Sequence, residues 1–216
     1  MKYYIGIDLG GTNVRTLLVD ENGVVHSEVK DSTESNKGPD YVCDKIIKQI
    51  ESLDTAVCDG LKGVSGIGIG VPGPVDTKKG YMIMATNLPG FKEYPICDKL
   101  TEHFNLPVFI DNDANVAGLA EALLGAGNGY PTCYYVTIST GVGGAFIVDG
   151  KLVSGGRGHA GEIGNIIVKN NGYKFGALNP GAVEGEASGT AITRKGKELL
   201  GEDERLLATL DKDNTN

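Results

Sequence analysis

Residues 3–20 of this chain read YYIGIDLGGTNVRTLLVD, two strand-like runs separated by the consecutive glycines Gly10 and Gly11. The pattern predicts strands at about 3–9 and 14–20, joined by a tight turn. Consecutive glycines also let backbone N–H groups point at one anion, which would make this turn a nest for phosphate oxygens. From these residues alone, a plain hairpin turn is an open alternative.

The polar residues around this turn fit a phosphate site. Thr12 would add a hydroxyl donor and Arg15 a positive charge. Asp8 could hold Mg²⁺ through water, because magnesium keeps much of its hydration in proteins. In the alternative hairpin, Arg15 would be an ordinary surface residue.

Downstream of this hairpin, strand-like and helical segments alternate along the chain. An order of three strands, helix, strand, helix, strand, helix is typical of an α/β fold. A boundary near residue 112 would divide the chain into two α/β lobes, 1–111 and 112–216. The further strands are predicted at 24–30, 64–71, 106–110, 133–139 and 143–149, and the helices at 40–53, 95–104, 113–124, 188–200 and about 203–210.

The composition argues against several classes of protein. The 20 basic and 28 acidic residues give a formal net charge of −8, which disfavours nucleic acid or an anionic membrane as the main partner. No apolar run approaches the roughly 18 residues of a membrane helix. The four cysteines are widely spaced, as expected for reduced, incidental thiols, so the sequence predicts a cytoplasmic protein.

A second glycine turn, STGVGG at residues 139–144, follows another predicted strand. It lies within a glycine-rich stretch, since twelve of the 33 glycines fall between residues 125 and 164. Thr140 and Gly141 could approach a ligand closely here, although a hairpin is again the alternative. Two such turns in one chain shift the balance toward phosphoryl transfer.

The cluster DNDAN at residues 111–115 lies where a predicted strand ends and a helix begins. Asp and Asn cap helices routinely, so Asp111 or Asn112 could serve only that role. A carboxylate at this junction could also accept the proton of a sugar hydroxyl that attacks a γ-phosphate. The residues alone leave both interpretations open.

Seven motifs together resemble the ROK family of sugar kinases and sugar-responsive repressors, within the sugar kinase/actin/Hsp70 superfamily. The resemblance runs from about residue 3 to 200 and is strongest to the bacterial glucokinase branch. It implies a two-lobed, ribonuclease H-like fold of the actin/hexokinase type. The motifs, in order, are DLGGTNVR, GVPGPV, TNLPGF, IDNDANVAGLAE, STGVGG, GHAGEIGN and VEGEASGTAI.

The resemblance also implies a reaction, hexose + ATP → hexose 6-phosphate + ADP, with glucose as the favoured sugar. Asp113 would be the catalytic base that takes the proton from the sugar 6-hydroxyl, and Asp8 would serve Mg²⁺. The residues implied to contact the sugar are Asn87, Asn112, Glu162 and Glu184, with Asn165 as a further donor. Those implied to surround the ATP phosphates are Gly10, Gly11, Thr12, Arg15, Thr140 and Gly141.

The chain departs from the family pattern at a zinc site. The usual ligands are one histidine and three cysteines, and the matching positions here are Asn165, Phe175, Ala177 and Ala182. None of these side chains supplies a thiolate or an imidazole, so we expect no structural zinc. The loop would be held by packing instead, with Phe175 as the candidate.

The end of the chain is a second departure. Family kinases continue through more helices and a glycine-rich turn that holds the adenosine, so the second lobe is expected to be incomplete. ATP turnover by this chain alone is then expected to be weak or absent. Two alternatives stay open: a non-catalytic sugar-binding fragment, or the core of a ROK-type regulator without its DNA-binding domain. A homodimer is a further expectation, because family members are commonly dimers.

Overall fold

A mixed five-stranded sheet forms the first half of the protein in the computed structural model, which describes residues 1–84, 87–156 and 158–200. The described strands are β1 (Tyr3–Leu9), β2 (Asn13–Asp20), β3 (Val25–Ser32), β4 (Val64–Val71), β5 (Val75–Asp76), β6 (Tyr81–Met82), β7 (Val108–Asn112), β8 (Thr132–Ile138), β9 (Val142–Val148) and β10 (Lys151–Leu152). The described α-helices are α1 (Pro39–Ser52), α2 (Ile96–Phe104), α3 (Asp113–Leu123), α4 (Val183–Ala187) and α5 (Gly189–Leu200).

The strand order of this first sheet is β3-β2-β1-β4-β7. The first three strands form an antiparallel meander, whereas β4 and β7 add in parallel to β1. Parallel neighbours need a crossover, and here α1 connects β3 to β4 while α2 connects β4 to β7. This mixture of antiparallel and crossover connections confirms the predicted α/β fold.

One face of the sheet and one side of each crossover helix form the main hydrophobic core. In β1 the buried side chains alternate, with Ile5, Ile7 and Leu9 facing the core. The helical spacing predicted for 40–53 is confirmed, because α1 buries Val42, Ile46 and Ile50 against these strands, and α2 adds Ile96 and Leu100. Each fully buried aliphatic side chain of this kind stabilises the fold by about 2 kcal/mol.

The second sheet is antiparallel, with order β10-β9-β8, and α3 packs on one of its faces. Gly118 allows this helix to lie close to the strands. A Cβ atom at Gly118 would lie 2.5 Å from the Cβ of Ala145 and 2.9 Å from the Cβ of Tyr135. Because α3 starts at the residue that follows β7, the helix continues that strand without a loop.

Most predicted elements are found within a few residues of their expected bounds. The strand predicted at 106–110 is instead β7 at Val108–Asn112, because Asp111 and Asn112 continue the ladder opposite Gly70 and Val71. The short elements β5, β6, β10 and α4 were not predicted. The helix predicted at about 203–210 lies outside the described residues, and the lobe boundary at residue 112 stays a prediction.

No helix within the described ranges is both long and apolar enough to cross a membrane.

Candidate active site

The sheet register aligns three of the predicted polar residues in one row. Asp8 on β1 pairs with Arg15 on β2 and with Gly70 on β4, and Gly70 pairs in turn with Asp111 on β7. These residues point away from the core formed with α1 and α2, since their neighbours Ile7 and Leu9 are buried. Two strand spacings separate Asp8 from Asp111, which is about 10 Å. Gly70 therefore leaves a gap between two carboxylates at the carboxyl ends of the parallel strands.

Arg15 is held within the sheet. Its Nε lies 3.0 Å from the Glu28 carboxylate on β3, and both side chains are partly exposed. The Nε donor is therefore engaged by an acid in this structure, so a phosphate would be contacted through the Nη donors or after an exchange of partners.

The first glycine turn is a hairpin in which Gly10 and Gly11 have different roles. The Gly10 N–H donates to the Asn13 carbonyl at 2.9 Å and so closes the hairpin. The amides of Gly11 and Thr12 have no partner within the described part of the chain. The predicted phosphate nest is therefore limited to those two amides.

Side chains after β3 hold the carbonyl side of the same turn. The Thr33 hydroxyl donates to the Gly10 carbonyl at 2.6 Å, and the Thr33 N–H donates to the Thr12 carbonyl at 2.8 Å. The Ser35 hydroxyl donates to the Gly11 carbonyl at 3.2 Å. The turn is thus fixed from the side opposite its open amides.

Asn87 packs directly on the first glycine turn. A Cβ atom at Gly11 would lie 2.7 Å from the Asn87 carbonyl oxygen and 2.9 Å from its Cβ. Only glycine permits this approach, because real Cβ atoms do not come so close to other atoms. A residue implied to contact sugar and a residue implied to contact phosphate are therefore adjacent.

Asn112 caps α3. Its Oδ1 accepts hydrogen bonds from the Ala114 N–H at 2.9 Å and the Asn115 N–H at 3.3 Å, and its Nδ2 donates to the Gly73 carbonyl at 3.2 Å. The capping role left open by the sequence is therefore present, and it fixes the start of the helix.

Asp111 and Asn115 form a second set of hydrogen bonds at the junction of β7 and α3. Asp111 Oδ1 accepts from the Asn112 N–H at 2.7 Å and from Asn115 Nδ2 at 2.8 Å. Asn115 was not among the predicted site residues, although its place in the DNDAN motif was the available signal. These hydrogen bonds connect the end of β7 to the first turn of α3.

Asp113 is the first residue of α3 and lies between the two sheets. On one side, a Cβ atom at Gly70 would lie 3.8 Å from the Asp113 Cα. On the other side, the next residue, Ala114, packs against Gly143 of β9, where a Cβ atom would lie 3.0 Å from the Ala114 Cβ. The close approach at Gly143 therefore helps to seat the start of the helix that carries Asp113, whereas a Cβ atom at Gly70 would make only ordinary contact.

Burial raises the pKa of the Asp113 carboxyl above its usual range. A hydrogen bond from the Ala114 N–H, 2.8 Å from Asp113 Oδ1, acts in the opposite direction, and the negative charge of Asp8 adds to the increase. The residue still has an exposed surface, so a ligand can reach it. A carboxylate with a raised pKa is a better proton acceptor than an ordinary surface aspartate.

The second glycine turn is anchored by the helices that follow it. Glu184 Oε2 accepts from the Val142 N–H at 2.8 Å. The Gly189 N–H donates to the Ser139 carbonyl at 2.8 Å, and the Thr190 hydroxyl donates to the Thr140 carbonyl at 2.8 Å. The turn at Thr140 and Gly141 is therefore fixed by α4 and α5.

Two glycines seat the GHAGEIGN segment against β9. A Cβ atom at Gly161 would lie 2.5 Å from the Gly144 carbonyl oxygen, and one at Gly164 would collide with the Val142 carbonyl. Their close approach leaves Glu162 and Asn165 exposed beside the second glycine turn. A Cβ atom at Gly164 would also lie 3.6 Å from the Glu184 Cβ. Glu162, Asn165 and Glu184, the three predicted sugar contacts of this half, are therefore brought together.

The four positions that match the zinc ligands have separate environments. Asn165 and Ala177 are exposed, Ala182 is buried, and Phe175 is half-buried against Gly185 of α4. Within the described ranges, no group of three or more His, Cys, Asp or Glu side chains could hold a metal ion. The absence of structural zinc stays a prediction that rests on the identity of these residues.

Comparison with known proteins gives relatives of two kinds. Glucokinase of Halalkalibacterium halodurans is 32% identical over 213 residues, which are 98% of this chain and 64% of that protein. The xylose repressor of Bacillus subtilis strain 168 is 33% identical over 192 residues, which are 89% of this chain and 49% of the repressor. This chain therefore spans less than two thirds of the length of either relative.

Two solved structures share the fold. ROK hexokinase from Thermus thermophilus aligns with a TM-score of 0.83 at 32% identity, covering 99% of this chain and 70% of that one. A ROK family glucokinase from Streptomyces griseus, in complex with glucose and AMPPNP, aligns with a TM-score of 0.76 at 32% identity, covering 94% and 62%. The predicted hexokinase-type fold is confirmed, and the shorter span agrees with the expected incomplete second lobe.

A model of the ROK family matches residues 4–211. Because that match covers nearly the whole sequence, this chain belongs to the ROK family.

Proposed function

We propose that this chain carries the sugar site and the phosphate turns of a hexose kinase, with glucose as the favoured sugar. The reaction is transfer of the γ-phosphoryl group of ATP to the sugar 6-hydroxyl. The observation that supports it best is Asp113, whose carboxyl has a raised pKa and lies at the helix start between Gly70 and Gly143. A glucokinase of the same family was solved with glucose and AMPPNP, which favours the same pair of ligand classes here.

In this proposal Asp113 accepts the proton of the 6-hydroxyl as that oxygen attacks the phosphorus. Phosphoryl transfer asks the protein mainly for positioning and charge stabilisation. The free amides of Gly11 and Thr12 would bind phosphate oxygens on one side, and the anchored turn at Thr140 and Gly141 would bind them on the other.

Asp8 is the residue that would hold Mg²⁺. Its carboxylate is exposed and has no hydrogen-bond partner among the described residues. One carboxylate with water completing the coordination suits magnesium, which would neutralise phosphate charge when bound. ATP and Mg²⁺ are thus the proposed cofactors.

The sugar would lie between two groups of side chains. Asn87 and Asn112 come from the first half of the site, and Glu162, Asn165 and Glu184 come from the second. Glu184 uses one carboxylate oxygen to hold the second glycine turn, which leaves the other to accept from a sugar hydroxyl. A location in the cytoplasm and a homodimer belong to the same proposal.

A sugar-responsive binding module is the second candidate. The similarity to a xylose repressor supports it. Such a module would bind sugar through the same residues without transferring phosphate.

A paired binding and activity experiment separates the two functions. Calorimetric titration with glucose and with AMPPNP, together with a coupled assay of ADP release, would be run on the 216-residue chain. The kinase proposal expects both ligands to bind and Asp113→Asn to lower any turnover by about 10²–10⁴-fold. Asp98→Asn, an exposed residue of α2, is the matched control. Glucose binding without AMPPNP binding would favour the module, and a failure to bind glucose would refute the proposal of a glucose kinase.

A further inference from the structure

Residues 166–182 form a loop whose two ends pair with each other beside the sugar-side residues. The Val183 N–H donates to the Ile166 carbonyl at 2.9 Å, and the Val168 N–H donates to the Gly181 carbonyl at 2.9 Å. We call this segment the stem loop. Asn165 immediately precedes it and Glu184 lies two residues beyond its end, so its paired ends contribute to the separation of those two side chains.

Glu186, a residue of α4, connects the stem loop to α4 and α5. Its side chain is only 8% exposed. One carboxylate oxygen, Oε1, accepts from the Tyr173 N–H at 2.7 Å, and the other, Oε2, lies 2.9 Å from Lys195 Nζ and 3.9 Å from Lys169 Nζ. Tyr173 and Lys169 belong to the stem loop, whereas Lys195 belongs to α5. A single acid therefore joins three segments.

Neighbouring contacts reinforce the same attachment. Lys195 Nζ also donates to the Glu186 carbonyl at 2.8 Å. The guanidinium carbon of Arg194 lies 3.7 Å from the centroid of the Tyr173 ring, and its Nη2 donates to the Gly185 carbonyl at 3.1 Å. Hydrogen bonds from the Tyr173 N–H and then from Lys195 hold the pKa of the Glu186 carboxyl below its usual range, so the acid is ionised.

We propose that Glu186 is a positioning residue that fixes the stem loop and, through its paired ends, the spacing of Asn165 and Glu184. The proposal rests on the proposed sugar site. In this chain the nearly buried Glu186 carboxylate and its partly exposed lysine partners take the part that metal ligands at Asn165, Phe175, Ala177 and Ala182 would otherwise play. Packing of Phe175 on Gly185 is then only one component of the attachment.

The first test measures the loop without reference to sugar. Limited trypsin digestion of the full chain, followed by mass spectrometry, would report the initial rates of cleavage after Lys169 and Lys174. We expect Glu186→Ala to raise these rates about tenfold, since it removes hydrogen bonds to a charged group. Glu186→Gln keeps an acceptor for the Tyr173 N–H and should fall between that variant and the unmodified chain.

The second test measures the sugar site by calorimetric titration with glucose. We expect the Kd to rise about tenfold in Glu186→Ala and less in Glu186→Gln, while the far-ultraviolet circular dichroism is unchanged. Glu21→Gln, an exposed acid in the β2–β3 turn, is the matched control and should alter neither readout.

The two tests fail in different ways. Equal cleavage rates in all variants would show that Glu186 does not hold the loop. Faster cleavage with an unchanged glucose Kd would overturn the positioning role. If the unmodified chain binds no glucose, the sugar site itself is wrong, and the cleavage rates still decide whether Glu186 fastens the loop.

Discussion

Gly118→Ala tests how α3 is seated on the second sheet. The new Cβ atom would lie 2.5 Å from the Cβ of Ala145 and 2.9 Å from that of Tyr135, distances that force the helix away from the strands. Overpacking of this kind lowers the free energy of unfolding by up to about 3 kcal/mol. Replacing a helical glycine by alanine recovers about 1 kcal/mol. The net loss of about 2 kcal/mol corresponds to a fall in Tm of about 4–8 °C for a chain of this size.

Thermal unfolding followed by circular dichroism measures this effect. Gly68→Ala on β4 is the matched control, because a Cβ atom there meets nothing within 4 Å, and its Tm should not fall. Ala145→Gly combined with Gly118→Ala removes the shortest contact and should recover part of the loss. If Gly118→Ala melts at or above the temperature of the unmodified chain, the described packing of α3 is incorrect.

Two further predictions concern the site itself. Gly11→Ala should weaken glucose binding about tenfold in calorimetric titration, because the new Cβ atom displaces Asn87 from the turn; an unchanged Kd would contradict the described contact. Asp113→Asn should raise the Tm at pH 7, since burial raises the pKa of Asp113 and its ionisation therefore disfavours the folded state. That gain should shrink as the pH falls and vanish below about 3.8, the ordinary value, where Asp113 is protonated in both states; a gain independent of pH between 3 and 8 would refute it.

The regular elements could be predicted from the sequence because their signals are local. Val42, Ile46 and Ile50 repeat at helical spacing, and they are the residues that α1 buries. The glycine turns after β1 and β8 were likewise found at their predicted positions. Their hydrogen bonds could not be predicted, since the Gly10 amide closes its own hairpin and the second turn is held by residues far along the chain.

The attachment of the stem loop could be predicted from the sequence only in part. Glu186 has no spacing signal of its own, because its charged partners lie 17 positions before it, at Lys169, and nine positions after it, at Lys195. The missing zinc ligands indicated only that something else must hold the segment. Phe175 was the expected answer because it is apolar, yet a nearly buried carboxylate accounts for more of the contacts.

The direct passage from β7 into α3 has a mechanical consequence. No loop separates β7 from α3, and hydrogen bonds to Asn112 and Asp111 hold the first helical turn. The angle between the strand and the helix therefore cannot change by the bending of a linker. The first residue of this helix is Asp113, and the rest of it packs on β8 and β9. The position of the Asp113 carboxylate is therefore coupled, through the helix, to the position of the second sheet.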